Sequence, residues 1–141
     1  FSGIQAAGKS SFFKARLADS HVRINLDMLR TRHREHLLLT ACLAARQAFV
    51  VDNTNLTVAE RASYIELARS AGFTVVGYRF FVELDLAISR NAQRAGPKPI
   101  PEKALRGALR RWEPPRQEEG FDQLFDVRAT DGAFLVEPAG F

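Results

Sequence analysis

Eight residues near the start of the chain, Gly3-Ile4-Gln5-Ala6-Ala7-Gly8-Lys9-Ser10, carry the spacing G-x-x-x-x-G-K-[ST], and Ser11 follows them. The chemistry that needs this spacing is the holding of a polyphosphate. Glycines let the backbone curl until several N–H groups converge on one anion, and the helix that follows adds the positive end of its dipole. Lys9 is then placed to reach the β- and γ-phosphates, and the Ser10 hydroxyl to ligate Mg²⁺. The expected ligand is a nucleoside triphosphate, ATP or another, with Mg²⁺ as its metal. Its binding set is Gly3, Ala6, Ala7, Gly8, Lys9, Ser10 and Ser11. Ala6 stands where such loops often carry a third glycine, so the sequence predicts a negative φ there.

Moving a phosphoryl group needs two things more: a group that takes the acceptor's proton, and cations set against the charge in transit. Asp27 follows the short apolar run His21 to Asn25 and is a candidate base, provided it comes within about 2.6–3.2 Å of an acceptor hydroxyl. An Asp before a helix is equally a good cap. Arg30, three residues on, could bind a phosphate of the acceptor, or be one more solvated arginine beside Arg32 and Arg34. Arg90 and Arg94 are spaced i, i+4, which stacks them on one helix face. There they could clamp the β- and γ-phosphates, or form a plain charged face. Asp52 ends an apolar run, where an acid would hold a Mg²⁺-bound water, and Asn53 and Thr54 could instead contact the acceptor. His33 and His36 have no third ligand and read as surface residues. Cys42 reads as a buried core thiol.

These residues need elements to position them, and the chain alternates helical and strand-like stretches. Lys9 to Ala18 is expected as a helix, His21 to Asn25 as a strand, and Met28 to Gln47 as one long helix with Leu38, Ala41, Cys42, Ala45 and Phe49 on its apolar side. Ala48 to Asp52 is a buried strand, followed by the turn Asn53-Thr54-Asn55. Thr57 and Glu60 form a capping box for a helix that runs to Ala71 and stops at Gly72. Thr74 to Phe81 is a strand and Leu84 to Arg94 a helix, before a proline- and glycine-rich loop from Gly96 to Pro101. Glu102 to Trp112 is a helix with Pro101 at its first position. Leu124 to Ala129 and Ala133 to Val136 flank Asp131-Gly132 as a hairpin. The sum is an α/β fold, a parallel sheet flanked by helices in three layers, with ligands at the carboxyl ends of the strands. The loop at Gly3, Asp27 and the turn after Asp52 should therefore converge.

The chain of 141 residues and 46% hydrophobic content suits one domain, residues 1–141, with one core. Only Phe1 and Ser2 precede Gly3, whereas the strand feeding such a loop needs about five residues. A truncated first strand is expected. No run of eighteen apolar residues and no signal-peptide pattern occurs, so the expectation is a cytoplasmic protein without a membrane partner. Nothing in the sequence fixes an oligomeric state. The formal net charge is +4, and sixteen of the twenty basic residues are arginine. That bias suits phosphorylated partners, and a GC-rich genome would produce it too.

Four stretches in this order resemble the P-loop polynucleotide 5′-kinase family, which includes stand-alone bacterial ATP-binding domains of this size. They are Gly3 to Ser10; Ile24-Asn25-Leu26-Asp27-Met28-Leu29-Arg30, similar to I-N-x-D-x-x-R; Val51-Asp52-Asn53-Thr54-Asn55; and Arg90-Asn91-Ala92-Gln93-Arg94, similar to the lid pattern R-N-x-x-R. The resemblance runs from Gly3 to about Asp126. It implies Asp27 as general base, Arg30 on an acceptor phosphate, Asn53 and Thr54 near the acceptor, and Arg90 and Arg94 on the donor's phosphates. The activity implied is ATP- and Mg²⁺-dependent transfer of the γ-phosphoryl group to a hydroxyl, the 5′-OH of a nucleic acid first. A kinase for a metabolite, sugar or antibiotic is the second reading, and a nucleotide-binding switch or ATPase without an acceptor the third. The retained Asp27 argues against the last, since a switch needs no base facing an acceptor.

Overall fold

The computed structural model describes residues 1–94 and 99–140, in the order α1 (Lys9–Arg16), β1 (Val22–Ile24), α2 (Leu26–Leu29), α3 (Arg32–Ala45), β2 (Phe49–Val51), α4 (Val58–Ser70), β3 (Val76–Phe80), α5 (Leu84–Ala92), α6 (Glu102–Arg111), a 3₁₀ turn (Gln117–Glu119), β4 (Gln123–Thr130) and β5 (Ala133–Pro138). Two ladders form. In one, β1 and β2 pair in parallel; in the other, β3 pairs in parallel with β4, and β4 runs antiparallel to β5. The start of the chain joins them. The amine of Phe1 donates to Val51 O, Ser2 N donates to Tyr78 O, Phe80 N donates to Ser2 O, and Gly3 N donates to Thr54 O. Residues 1–3 thus lie between β2 and β3, and the loop they feed leaves at the carboxyl ends of both.

Side-chain alternation along β3 sets the layers. Tyr78 and Phe80 pack with Phe12 of α1, with Ala7, and with Val127, Phe134 and Val136 of the terminal hairpin. On the other face, Phe81 stacks edge-on against Trp112, and Gly77 leaves room for Phe121, which packs with Ile65 of α4. A third apolar group joins Ile4 of the loop to Leu56, Ala87 of α5 and Ala108 of α6. Ile4 is 1% exposed, so the loop's entry is anchored in the core rather than laid over it.

Several boundaries differ from the sequence pattern for local reasons. The long helix expected from Met28 to Gln47 is broken in two. Arg30 takes φ 74, a left-handed C-cap for α2, and Thr31 recaps α3 by accepting from Arg34 N. The buried side of α3 is Glu35, Leu39 and Cys42; Ala41 and Ala45 are exposed. Helix α5 ends at Ala92, two residues before Arg94, so Arg90 and Arg94 do not stack on one helical face. Pro101 is the N-cap of α6 rather than its first residue, because its ψ of 138° is extended. In the Thr57 cap, Glu60 reaches back to Leu56 N rather than to Thr57 N. Of the loop expected from Gly96 to Pro101, residues 96–98 lie outside the described residues. No helix among the described residues is long and apolar enough to cross a membrane.

Candidate active site

The loop between Gly3 and Lys9 is shaped by two close approaches. A Cβ on Gly3 would sit 2.8 Å from the carbonyl oxygen of Phe80, and one on Gly8 would sit 3.0 Å from the Cβ of Ala129. Gly8 has φ 99, and Ala6 also turns left-handed, with φ 64. The expectation of a negative φ at Ala6 is therefore wrong. The loop alternates its backbone hand to form a nest of N–H groups, and an alanine methyl is small enough to accept a conformation that costs about 1–2 kcal/mol. Helix α1 begins directly at Lys9 with no side-chain cap. Its first amides are left for an anion.

Lys9 is buried, and its ammonium donates to Gly3 O at 2.8 Å and Ile4 O at 2.7 Å. Burial lowers its pKa to about 8, against the attraction of Asp52 and Asp27. Ser10 donates to Asp52 Oδ2 at 3.1 Å. A hydroxyl and a carboxylate are oxygen donors of the kind Mg²⁺ takes, so the pair suits that ion. A third group is already on both: Arg23 of β1 donates through Nε to Asp52 Oδ2 at 2.8 Å and through Nη2 to Ser10 Oγ at 2.8 Å.

Asp27 lies in the first turn of α2 and is exposed, free of the capping role, because Asn25 is the cap and accepts from Met28 N. Asn25 also donates to Asp52 O at 2.5 Å, tying the start of α2 to the end of β2. Asn53 is held at both ends of its amide: it accepts from Leu26 N at 2.9 Å and donates to Glu35 Oε2 at 3.0 Å. Glu35 is 5% exposed and also accepts from Tyr64 Oη at 2.7 Å and Arg32 Nη1 at 3.0 Å. Burial works to raise its pKa, and the three donors overcome that and hold it below the usual glutamate value. Burial, then the bond to Glu35, pushes the Tyr64 phenol up to about 12. Asn53 thus braces the turn as well as facing the cleft.

Arg90, half-buried, donates to Ala129 O at 3.1 Å and to Ala6 O at 3.5 Å, linking α5, the loop and the terminal hairpin. Arg94 is exposed. One continuous cleft of about 1750 Å³ is lined by Ala6, Gly8, Lys9, Ser10 and Ser11, by Asp27, Arg30, Asp52, Asn53 and Thr54, and by Arg90 and Arg94. Gly3 and Ala7 are buried beneath the loop and shape it without lining the cleft. His33 and His36 are exposed, and no group of three or more His, Cys, Asp or Glu suited to a metal occurs among the described residues. Cys42 is buried, and burial raises its pKa.

Arg23, Glu35 and Tyr64 belong to no motif visible in the sequence. A signal for Arg23 was present: a charged residue inside a short apolar strand, beside another strand that ends in an acid, is placed for a diagonal ion pair. Glu35 is four residues before Leu39 and seven before Cys42, on the stripe that α3 buries.

A protein-family model described as an AAA domain matches residues 1–115. The bifunctional polynucleotide phosphatase/kinase of Schizosaccharomyces pombe (strain 972 / ATCC 24843) is 26% identical over 129 residues, covering 89% of this chain and 32% of that protein. The chain therefore spans about a third of the length of this relative. A gluconokinase from Sinorhizobium meliloti 1021 shares the fold, with a TM-score of 0.59 at 22% identity over 89% of this chain and 79% of that one.

Proposed function

This chain belongs to the AAA domain family, and from that premise we propose that it is an ATP- and Mg²⁺-dependent phosphotransferase whose acceptor is the 5′-hydroxyl of a polynucleotide. The observation that carries the reading is one cleft lined both by the phosphate loop and by Asp27, Arg30 and Thr54. A donor site alone would not need a further exposed carboxylate, Asp27, in its lining.

The amides at the start of α1 and Lys9 bind the β- and γ-phosphates, and Arg90 and Arg94 flank the donor from α5 and the residues after it. The acceptor oxygen attacks the γ-phosphorus as Asp27 takes its proton, and the bond to the β-phosphate oxygen breaks to release ADP. Mg²⁺, held by Ser10 and Asp52, would supply neutralising charge at the phosphate oxygens. Arg30 is exposed and lines the cleft, suited to a phosphate of a longer acceptor. The name of the fission-yeast relative supports a polynucleotide in that role. A small polyhydroxylated acceptor is the second reading, favoured by the exposed hydroxyl of Ser63 in the lining of the cleft.

The test is transfer from γ-labelled ATP to a 5′-OH oligonucleotide, to a panel of sugars and polyols, and to water, at low and high salt. Label on the oligonucleotide end is expected. Label only on a small polyol would replace the acceptor, and release of phosphate alone would remove it.

A further inference from the structure

We infer that Arg23 acts as a built-in cation that holds the Ser10–Asp52 pair in the absence of nucleotide, so that a divalent ion gains the pair only by displacing the guanidinium. The inference rests on the phosphate-loop reading above and concerns a residue outside its motif.

Three contacts carry it. Arg23 Nε donates to Asp52 Oδ2 and its Nη2 to Ser10 Oγ, both at 2.8 Å, while Ser10 Oγ donates to the same Asp52 oxygen at 3.1 Å. The two oxygens best suited to an ion are thus bridged by one planar cation. The Asp52 side chain is 1% exposed, and without Arg23 its carboxylate would keep only the Ser10 hydroxyl as a side-chain hydrogen-bond partner, with Lys9 and the Phe1 amine acting on it as charges. A divalent ion drawn to these oxygens would sit against the guanidinium, and like charges at such range repel strongly where water is excluded. An ion that bridges Ser10 Oγ and Asp52 Oδ2 therefore competes with the guanidinium that already bridges them.

The Arg23 side chain is 25% exposed and hangs from β1, a three-residue strand that pairs only with β2 among the described residues and so forms the edge of its ladder. It has somewhere to go. A nucleotide brings its own phosphate oxygens, which offer the ion further ligands and offer a freed guanidinium a new partner. Free divalent ions bring neither. The arrangement therefore makes ion entry conditional on nucleotide, a selectivity the G-x-x-x-x-G-K-S motif does not itself contain.

The test is Mn²⁺ binding to the nucleotide-free chain, read from the electron paramagnetic resonance signal of free Mn²⁺. Wild type should bind weakly, Arg23→Met at least tenfold more tightly, and Arg23→Lys, which cannot bridge both oxygens, between them. The double variant Arg23→Met/Asp52→Asn should lose the gain. A parallel titration of a fluorescent ATP analogue should show a lower half-saturating Mg²⁺ concentration for Arg23→Met. Should Arg23→Met prove unstable, Arg23→Lys decides alone. Tight Mn²⁺ binding by wild type without nucleotide, or folded Arg23 variants with wild-type Mn²⁺ affinity, would overturn the inference. Failure of every form to bind the analogue would instead overturn the phosphate-loop reading, and the Mn²⁺ result would still stand.

Discussion

Lys9 and Asp27 line one cleft and make separable demands. Lys9 is parked on the carbonyls of Gly3 and Ile4, and its pKa is lowered to about 8 by burial. A phosphate wants it protonated. Nucleotide affinity should therefore fall as pH rises through 8, roughly tenfold between pH 7.5 and 9.5, while the nucleotide's own charge stays constant. Equilibrium dialysis across that range checks it, and a flat profile would mean that Lys9 remains charged. The stability term has the opposite sign. Between about 8 and the unfolded value near 10.4 the unfolded chain binds more protons, so Lys9 makes folding more favourable as pH rises there. Asp27 is exposed and makes no cap. Asp27→Asn should lower turnover by 10²-fold or more and leave ATP affinity and melting temperature within error. Wild-type turnover would remove Asp27 from proton transfer.

At the level of elements, the loop depends on the terminal hairpin above it. Gly8 combines φ 99 with the Cβ of Ala129 at contact distance. Gly8→Ala should cost about 1–3 kcal/mol in urea unfolding and weaken nucleotide binding more than tenfold; an unchanged midpoint would show that β4 yields. The second coupling runs through α3. Glu35 receives Tyr64 from α4, Arg32 from its own helix and Asn53 from the turn after β2, and Asn53 in turn receives Leu26 N at the head of α2. Its pKa is lowered relative to the unfolded chain, so its contribution is present above the ordinary glutamate range and lost as pH falls through the lowered value. Wild type should lose stability below about pH 4, and Glu35→Gln should show a smaller loss over that interval. Urea midpoints at pH 3 and 6 for both proteins measure it.

Across the whole molecule, one buried cation ties together distant parts of the chain. Arg61 of α4 is 4% exposed and donates to both carboxylate oxygens of Glu119, at 2.8 and 3.0 Å, and to the carbonyls of Asn55 and Leu56. Ser2 Oγ, at the join of the two ladders, donates to Asn55 O and receives Trp112 Nε1. Arg61→Ala leaves the Glu119 carboxylate with the Arg116 amide but without its buried cation, and should cost about 3–5 kcal/mol, seen as a large fall in urea midpoint. Arg61→Lys should recover only part of it, because an ammonium cannot fork to two oxygens in plane. A loss below about 1 kcal/mol would show that water relieves Glu119.

The sequence by itself determined the phosphate loop, the α/β order of elements and the positions of Asp27 and Asp52 at strand ends. Each of these is written in contiguous residues, where one turn's spacing or one apolar run settles the local geometry. The break in the helix at Arg30 was hidden because the apolar and basic residues of 28–47 satisfy a helical period on both sides of it, and only the caps at Arg30 and Thr31 record the interruption. The left-handed φ of Ala6 runs against alanine's own preference and is seen only in the folded loop, whose carbonyl at that residue accepts from Arg90. Arg23 meets Asp52 across 29 positions, Glu35 meets Tyr64 across 29, and Arg90 meets Ala129 across 39. Such pairs depend on which strand lies beside which and how deep each side chain is buried, and the tertiary structure alone decides that.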